Sequence, residues 1–346
     1  MEEAQKSRAE MILERKKQLA NAIYITYPRF ASLLEAIADC HLQGNRNREP
    51  ECLFIQGETG TGKSTLMETY SKSYPRKITK EGTIVPILSG VVPAGATVKG
   101  VASKLLWNLG DPAHSRGSRD TMTIRLIQLI KDCRVELIFL DEMNHFIERD
   151  SEKLLKTVSD WLKELIIETK IPLVAFGLPT AELVLSPSTN PQLSRRFSHR
   201  RSLNPFGWQH DDGEEFRTLL HLIETQLPLL ENSRLTEKDM ALRFYYASDG
   251  TIGYVMTLIR NATKLALKQN RERLELDLLA ITFEDHIKND KPGKKFNPFL
   301  EDVCIKDLPS EDSLSEKGTA SEVKITNNRI RSGGSKKPRA SDVLHT

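Results

Sequence analysis

Apolar residues recur along this chain with two different periods. Between Glu51 and Phe206, short apolar runs alternate with stretches of helical spacing; the runs are ECLFIQG (51–57), TIVPILS (83–89), VELIFLD (135–141), IPLVAFG (171–177) and RRSLNPF (200–206). Runs this short, apolar at successive positions, predict strands buried on both faces, and their alternation with helices predicts a parallel sheet sandwiched by helices, an α/β fold. Ahead of them, Met11, Ile12 and Leu19 sit in a polar background over residues 4–20, and Phe30, Leu33, Leu34, Ile37 and Ala38 repeat with helical period between Pro28 and Gln43. Two leading helices are expected there. Past Phe206 the strand pattern stops. EEFRTLLHLIETQL, EKDMALRFYYAS, TIGYVMTLIRNATKLALKQN and LDLLAITFEDHI all carry helical periods, so residues 208–289 are expected to form a separate helical domain. From Lys288 the sequence turns to KNDKPGKKFNPF, then to an acidic stretch over Glu301–Glu316 and a basic RIRSGGSKKPR. Few large apolar residues remain to offset ordering entropy, so residues 290–346 are expected to be a disordered tail.

Composition narrows this picture without redirecting it. With 346 residues, 39% hydrophobic and 28% charged, the chain can bury a sizeable core and is unlike a wholly disordered one. A formal net charge of +3 neither demands nor excludes a polyanionic partner. No stretch approaches the ~20 apolar residues of a membrane span, and the charged opening MEEAQKSRAEMILERKK lacks a secretory apolar segment, so a cytoplasmic location and no membrane partner are expected. Cys40, Cys52, Cys133 and Cys304 are far apart with no CxxC pair, and the eight histidines are scattered. That spacing predicts reduced thiols, Cys52 and Cys133 in the core, and no metal site built from protein side chains alone.

The chemistry concentrates in two segments. Gly57-Glu58-Thr59-Gly60-Thr61-Gly62-Lys63-Ser64 matches G-x-x-x-x-G-K-[ST], follows an apolar strand and precedes the helical LMETYSKSY, and these eight residues with Thr65 are expected to bind the nucleotide. Glycines let successive backbone N–H groups point at phosphate oxygens, and the following helix turns its positive end toward the same charge. Lys63 would reach the β- and γ-phosphates and Ser64 would give a hydroxyl to Mg2+. The complementary half is LIFLDE, 78 residues after Lys63, where Asp141 and Glu142 end an apolar run. Asp141 would hold the hydrated Mg2+, and Glu142 would polarise the attacking water as catalytic base.

Phosphate loop, acidic strand, an arginine pair after the fourth strand and a helical lid together resemble an AAA+ P-loop ATPase over about residues 25–285. This divides the chain into a helical extension (1–24), an α/β nucleotide-binding domain (25–207), a helical lid (208–289) and a partner-binding tail (290–346). Within that superfamily, GETGTGKST, LIFLDEMNHF, VAFGLPTAE and PQLSRRFSHR most resemble the TniB/TnsC group, ATP-dependent regulators of heteromeric DNA transposons. The resemblance implies ATP bound at a subunit interface, with Arg195 or Arg196 entering a neighbour's site as an arginine finger, and Thr180 as the γ-phosphate sensor. Many lids carry Arg in a G-x-x-R sensor, where this chain reads Gly250-Thr251-Ile252-Gly253. Slow turnover, used as an assembly switch, is therefore expected.

The same resemblance implies a homo-oligomeric ring or helical filament on double-stranded DNA. It would recruit transposase subunits to a site chosen by a target-selector protein and disassemble on hydrolysis. Lys99, Lys104, Arg116, Arg119 and Thr121 lie in the region where relatives follow the DNA backbone, contacts that need only cations and hydroxyls and carry no sequence choice. Trp107 reads as core packing. Lys291, Lys294, Lys295, Lys336, Lys337 and Arg339 of the tail are further candidates for DNA contact. Two other readings share the nucleotide site: a replicative helicase loader or initiator ATPase, and a signalling scaffold switched by ATP.

Overall fold

The computed structural model describes residues 2–44, 49–147, 152–208, 213–290 and 296–300, all within one compact unit. Cys304 and the tail cations named above lie outside the described residues. In chain order the strands are β1 (Leu53–Gln56), β2 (Lys77–Thr79), β3 (Gly82–Ile84), β4 (Ile87–Val91), β5 (Leu137–Asp141), β6 (Leu173–Gly177) and β7 (His199–Ser202). Five of them form one parallel sheet in the order β4-β5-β6-β1-β7. The helices are α1 (Glu2–Asn21), α2 (Pro28–Gly44), α3 (Lys63–Lys72), α4 (Val98–Leu109), α5 (Arg119–Asp132), α6 (Glu152–Thr169), α7 (Pro191–Arg196), α8 (Glu214–Glu224), α9 (Lys238–Ser248), α10 (Ile252–Lys268) and α11 (Leu276–His286).

Period-two alternation of the strands divides the core in two. Leu53, Ile55, Phe139, Val174 and Phe176 face one side, where they join Phe30, Leu33 and Ile37 of α2, Leu66 and Tyr70 of α3, and the apolar faces of the C-terminal helices. Phe54, Ile138, Leu140, Leu173 and Ala175 face the other side, under α4, α5 and α6. Both faces are thus covered, which is why these strands read as continuous apolar runs rather than alternating ones.

Several expectations need correction. The run TIVPILS is not one strand: Pro86 interrupts it, leaving Thr83 and Ile84 in an antiparallel hairpin with β2 and Ile87–Val91 in the main sheet. Proline lacks the N–H that a ladder needs, so the chain changes sheets there. The last strand is shorter than RRSLNPF and closes before Pro205 for the same reason. Trp107 is 58% exposed. The buried face of α4 is Val98, Val101, Ala102, Leu105, Leu106 and Leu109, which leaves Trp107 turned away, edge-on to His114 with ring centroids 4.8 Å apart. Cys52 and Cys133 are buried as expected, and Cys40 is buried as well.

Residues 296–300, assigned by sequence to the disordered tail, are packed. Phe299 is buried against Phe244 and Phe283, Phe296 stacks on Tyr246, and Arg243 donates to the carbonyl oxygens of Pro298 and Leu300. Of the described helices, none is long and apolar enough to cross a membrane.

Candidate nucleotide site

The site forms where β1, β6 and β5 end side by side. In an open parallel sheet, ligands settle beyond the carboxyl ends of the strands, and here three ends bring three different groups. Gly57 leaves β1 with its N–H donating to the Gly177 carbonyl at the end of β6, 3.1 Å away. A Cβ on Gly57 would lie 2.4 Å from the Leu203 carbonyl oxygen, so only glycine passes. Gly60 and Gly62 take positive φ of 81° and 105°, the left-handed turn that glycine adopts at least cost. Gly62 then stands at the N-terminus of α3 without any side-chain cap. First-turn N–H groups of α3 are left for an anion.

Lys63 is buried and its ammonium donates to the carbonyls of Gly57 (2.6 Å) and Glu58 (3.0 Å). Burial lowers its pKa from the ordinary lysine value, while the negative charges of Glu142, Asp141 and Glu58 oppose that shift. Thr61 steadies the loop by donating its hydroxyl to the Glu58 carbonyl at 2.8 Å. Ser64, in the first turn of α3, donates to Asp141 Oδ2 at 3.2 Å. That single bond joins the phosphate loop to the acidic strand, although β6 lies between β1 and β5 in the sheet. Asp141 is buried, and its Oδ1 accepts the Glu142 N–H at 2.8 Å. Glu142 follows with φ 58° and ψ 42°, a left-handed conformation that costs a non-glycine residue about 1–3 kcal/mol and tends to mark working positions.

These groups open on a cleft of about 320 Å³ lined by Thr59, Gly60, Thr61, Gly62, Lys63, Ser64, Thr65 and Glu142 on one side. The opposite walls come from two distant parts of the chain. One is the segment Ile23, Tyr24, Ile25, Tyr27 and Phe30; the other is Ile252, Gly253, Met256 and Arg260 of α10. Neither wall is identifiable from sequence. The only signal is the spacing of Gly253, Met256 and Arg260 on one helix face, which core packing also produces. α10 bears directly on the loop: the Gly253 N–H donates to the Gly60 carbonyl at 2.9 Å.

Other expected site residues lie apart from the cleft. Thr180 is exposed on the 3-10 turn Pro179–Leu185, whose buried side is Ala181, Val184 and Leu185, and it is absent from the cleft lining. Arg195 and Arg196 end α7, and their guanidinium groups each lie 3.8 Å from Glu49. Their exposures differ sharply, 85% for the Arg195 side chain and 14% for Arg196. The Arg196 carbonyl accepts the Cys52 N–H at 2.8 Å, just ahead of β1.

Lys99, Lys104, Arg116, Arg119 and Thr121 are all exposed along α4, the following loop and the start of α5. Arg119 is paired with Asp120 at 2.8 Å, and Thr121 belongs to the helix cap built on Ser118. Arg125 pins the loop between them by bonding Asp111 and the carbonyls of Ala113 and Arg116.

Residues 15–208, the stretch holding both halves of this site, match the family of bacterial TniB proteins. The chain belongs to the TniB family. Among solved structures, this TniB protein is similar to Cdc6p of Pyrobaculum aerophilum (TM-score 0.55, 16% identity, covering 78% of this chain and 70% of that one). It is also similar to Aeropyrum pernix ORC2 in ADPNP-ADP complexes (TM-score 0.57, 18% identity, 78% and 71% covered). A third likeness is Aeropyrum pernix ORC1 in complex with DNA (TM-score 0.55, 19% identity, 80% and 70% covered). At such identities the likeness speaks for the fold, and the fold is the AAA+ P-loop arrangement of a parallel sheet between helices. No curated protein matches the sequence.

Proposed function

We propose that this protein is an ATP-hydrolysing, DNA-binding oligomeric regulator of DNA transposition, whose assembly is set by the nucleotide it holds. The observation that carries the reading is the Ser64–Asp141 hydrogen bond, which joins a glycine-built phosphate loop to a buried acid beside Glu142. The donor set fits a magnesium-bound triphosphate: uncapped helix N–H groups, one buried ammonium, a hydroxyl and a carboxylate. Ser64 and Asp141 would hold Mg2+, and Lys63 with Gly57, Glu58, Thr59, Gly60, Thr61, Gly62 and Thr65 would hold the phosphates. The ion would supply charge neutralisation on the phosphate oxygens. Glu142 lines the cleft as the base that takes a proton from water.

Exposure distinguishes the arginines. Arg195, exposed and held only by Glu49 at 3.8 Å, can reach a neighbouring subunit, whereas Arg196 is largely covered. Gly253 brings no lid cation to the loop, which supports slow turnover and a switching role. Membership of the TniB family supports the place in transposition, with transposase subunits and a target selector as partners. The fold shared with ORC1 in complex with DNA supports duplex DNA as the platform. That same likeness favours, as a second reading, a helicase loader or initiator, which capture of a replicative helicase instead of transposase would distinguish.

The test is electron microscopy of the full chain with linear duplex DNA and a slowly hydrolysed ATP analogue, alongside ATP turnover of wild type and Glu142→Gln. Rings or filaments on DNA are expected, and loss of the base should lower turnover by about 10²-fold or more while assemblies persist in ATP. No ordered assembly on duplex would remove the transposition reading. Equal, zero turnover of both proteins with and without DNA would favour an ATP-switched scaffold.

A further inference from the structure

Arg260 has no part in the phosphate chemistry, yet it lies in the same cleft. Gly253, Met256 and Arg260 share one face of α10 and all line the cavity. Gly253 touches the phosphate loop at Gly60, and Arg260 stands two helical turns farther on, about 10 Å along the axis. Phosphates held at the loop would therefore put the opposite end of a nucleotide beside Arg260. The walls around it are apolar and aromatic: Ile23, Ile25, Tyr27, Phe30 and Met256.

The guanidinium is only partly satisfied. One of its Nη2 hydrogens goes to the Ile23 carbonyl at 2.9 Å, while Nε is buried without a partner. No carboxylate among the described residues offsets its charge, and burial alone lowers its pKa from the ordinary arginine value. Nε is closed off from the cleft, whereas Nη1 is not buried and makes no hydrogen bond among the described residues, so Nη1 is the donor that a ligand acceptor can reach. The segment that Arg260 touches is otherwise well held: Gln226 bonds both the N–H and the carbonyl of Tyr24, at 3.3 and 3.0 Å. Anchoring that segment therefore does not rest on Arg260 alone.

We propose that Arg260 is the specificity residue for the nucleobase, its guanidinium donating through Nη1 to a ring nitrogen or carbonyl on the base edge while the apolar slot takes the flat face. The proposal rests on the nucleotide reading of the cleft. An apolar slot accepts any planar base, so discrimination falls to its directional donors, of which Arg260 is the charged one on these walls.

Calorimetry on the full chain with magnesium tests this, comparing ATP, GTP and inorganic tripolyphosphate in wild type, Arg260→Lys and Arg260→Gln. ATP affinity should fall about tenfold or more in both variants, the size expected for one hydrogen bond from a charged donor. The ratio of ATP to GTP affinity should change, and tripolyphosphate binding should stay within about twofold. Equal losses for ATP and tripolyphosphate, or no loss for ATP, would overturn the proposal. Wild-type protein alone gives a second readout through ATP analogues that each lack one ring nitrogen. At least one should bind about tenfold more weakly, and equal affinity for all of them, or for ATP and tripolyphosphate, would leave Arg260 no base to read. Failure of wild type to bind either ATP or tripolyphosphate would instead remove the nucleotide site itself.

Discussion

The resemblance to AAA+ lids would put an arginine side chain where this chain has Gly253, and the surroundings of Gly253 supply the reason for glycine. A Cβ there would lie 2.8 Å from the Gly60 carbonyl oxygen and 3.2 Å from its Cα, and both are backbone atoms with no side chain to swing aside. Gly253→Ala should therefore destabilise the protein by about 1–3 kcal/mol, as overpacking does, despite the helix propensity gained by alanine. It should also weaken nucleotide binding, because α10 must back away from the loop. Gly100→Ala on α4 is the matched control, since the nearest atom to its Cβ is 3.5 Å away. It should be neutral or stabilising by about 0.4–1 kcal/mol. Chemical denaturation of the two variants side by side checks both signs. The sequence reveals the missing arginine but not its cause, because the close approach of Gly253 and Gly60 joins residues far apart in the chain. Arg260 escapes notice for the same reason: its place in the cleft depends on where α10 lands.

Elements whose signal is local are legible from the apolar pattern. β1, β5 and β6 read as apolar runs because they are central, and α8 to α11 announce themselves by period. TIVPILS misleads because its apolar residues serve two different sheets, with Pro86 between them. Trp107 misleads because size and hydrophobicity suggest burial, while its angle on α4 decides exposure. Bonds between elements are not legible at all, and His41 is the clearest case. It ties α2 to α3 through the Tyr70 hydroxyl (3.0 Å) and to the approach to β5 through Glu136 (3.2 Å). Burial lowers its pKa below the ordinary 6.5, more than the Glu136 carboxylate raises it. The unfolded chain thus takes up this proton at higher pH than the folded one. Its stabilising share is complete above pH 6.5 and is lost as pH falls through 6.5 toward the lower folded value. The slope is at most about 1.4 kcal/mol per pH unit. Unfolding measured from pH 7.5 down to 5 should show that decline, and His41→Asn should flatten it.

At the scale of the whole molecule, the proposed binding to duplex DNA would rest on where cations are exposed, since net charge is near balance. Lys99, Lys104 and Arg116 are exposed along the α4–α5 edge, while Arg119 already has Asp120 beside it. The triple variant Lys99→Ala, Lys104→Ala, Arg116→Ala should weaken duplex binding without changing sequence preference. It should reduce the slope of log affinity against log salt by about 0.9 for each phosphate that is no longer neutralised. A slope equal to that of wild type would place the DNA elsewhere on the protein. The candidate site is legible in half: the phosphate loop and its acids are contiguous words, and the strand ends of one sheet bring them together. The far walls of the cleft are not, because segment 23–30 and α10 meet it only after the whole chain has folded.

The bond between Cys52 and Arg196 links the nucleotide to the protein's edge in another way. At one tip of β1 is the phosphate loop; at the other, one residue earlier, the chain grips the carbonyl of the arginine pair. A four-residue strand is a stiff strut, too short to absorb a push from either end. In the proposed oligomer each such strut would run from one subunit's phosphate loop to the helix end that offers Arg195 to the next. Sites joined this way would be coupled, the state of one phosphate loop bearing on where the arginine beside the next site stands.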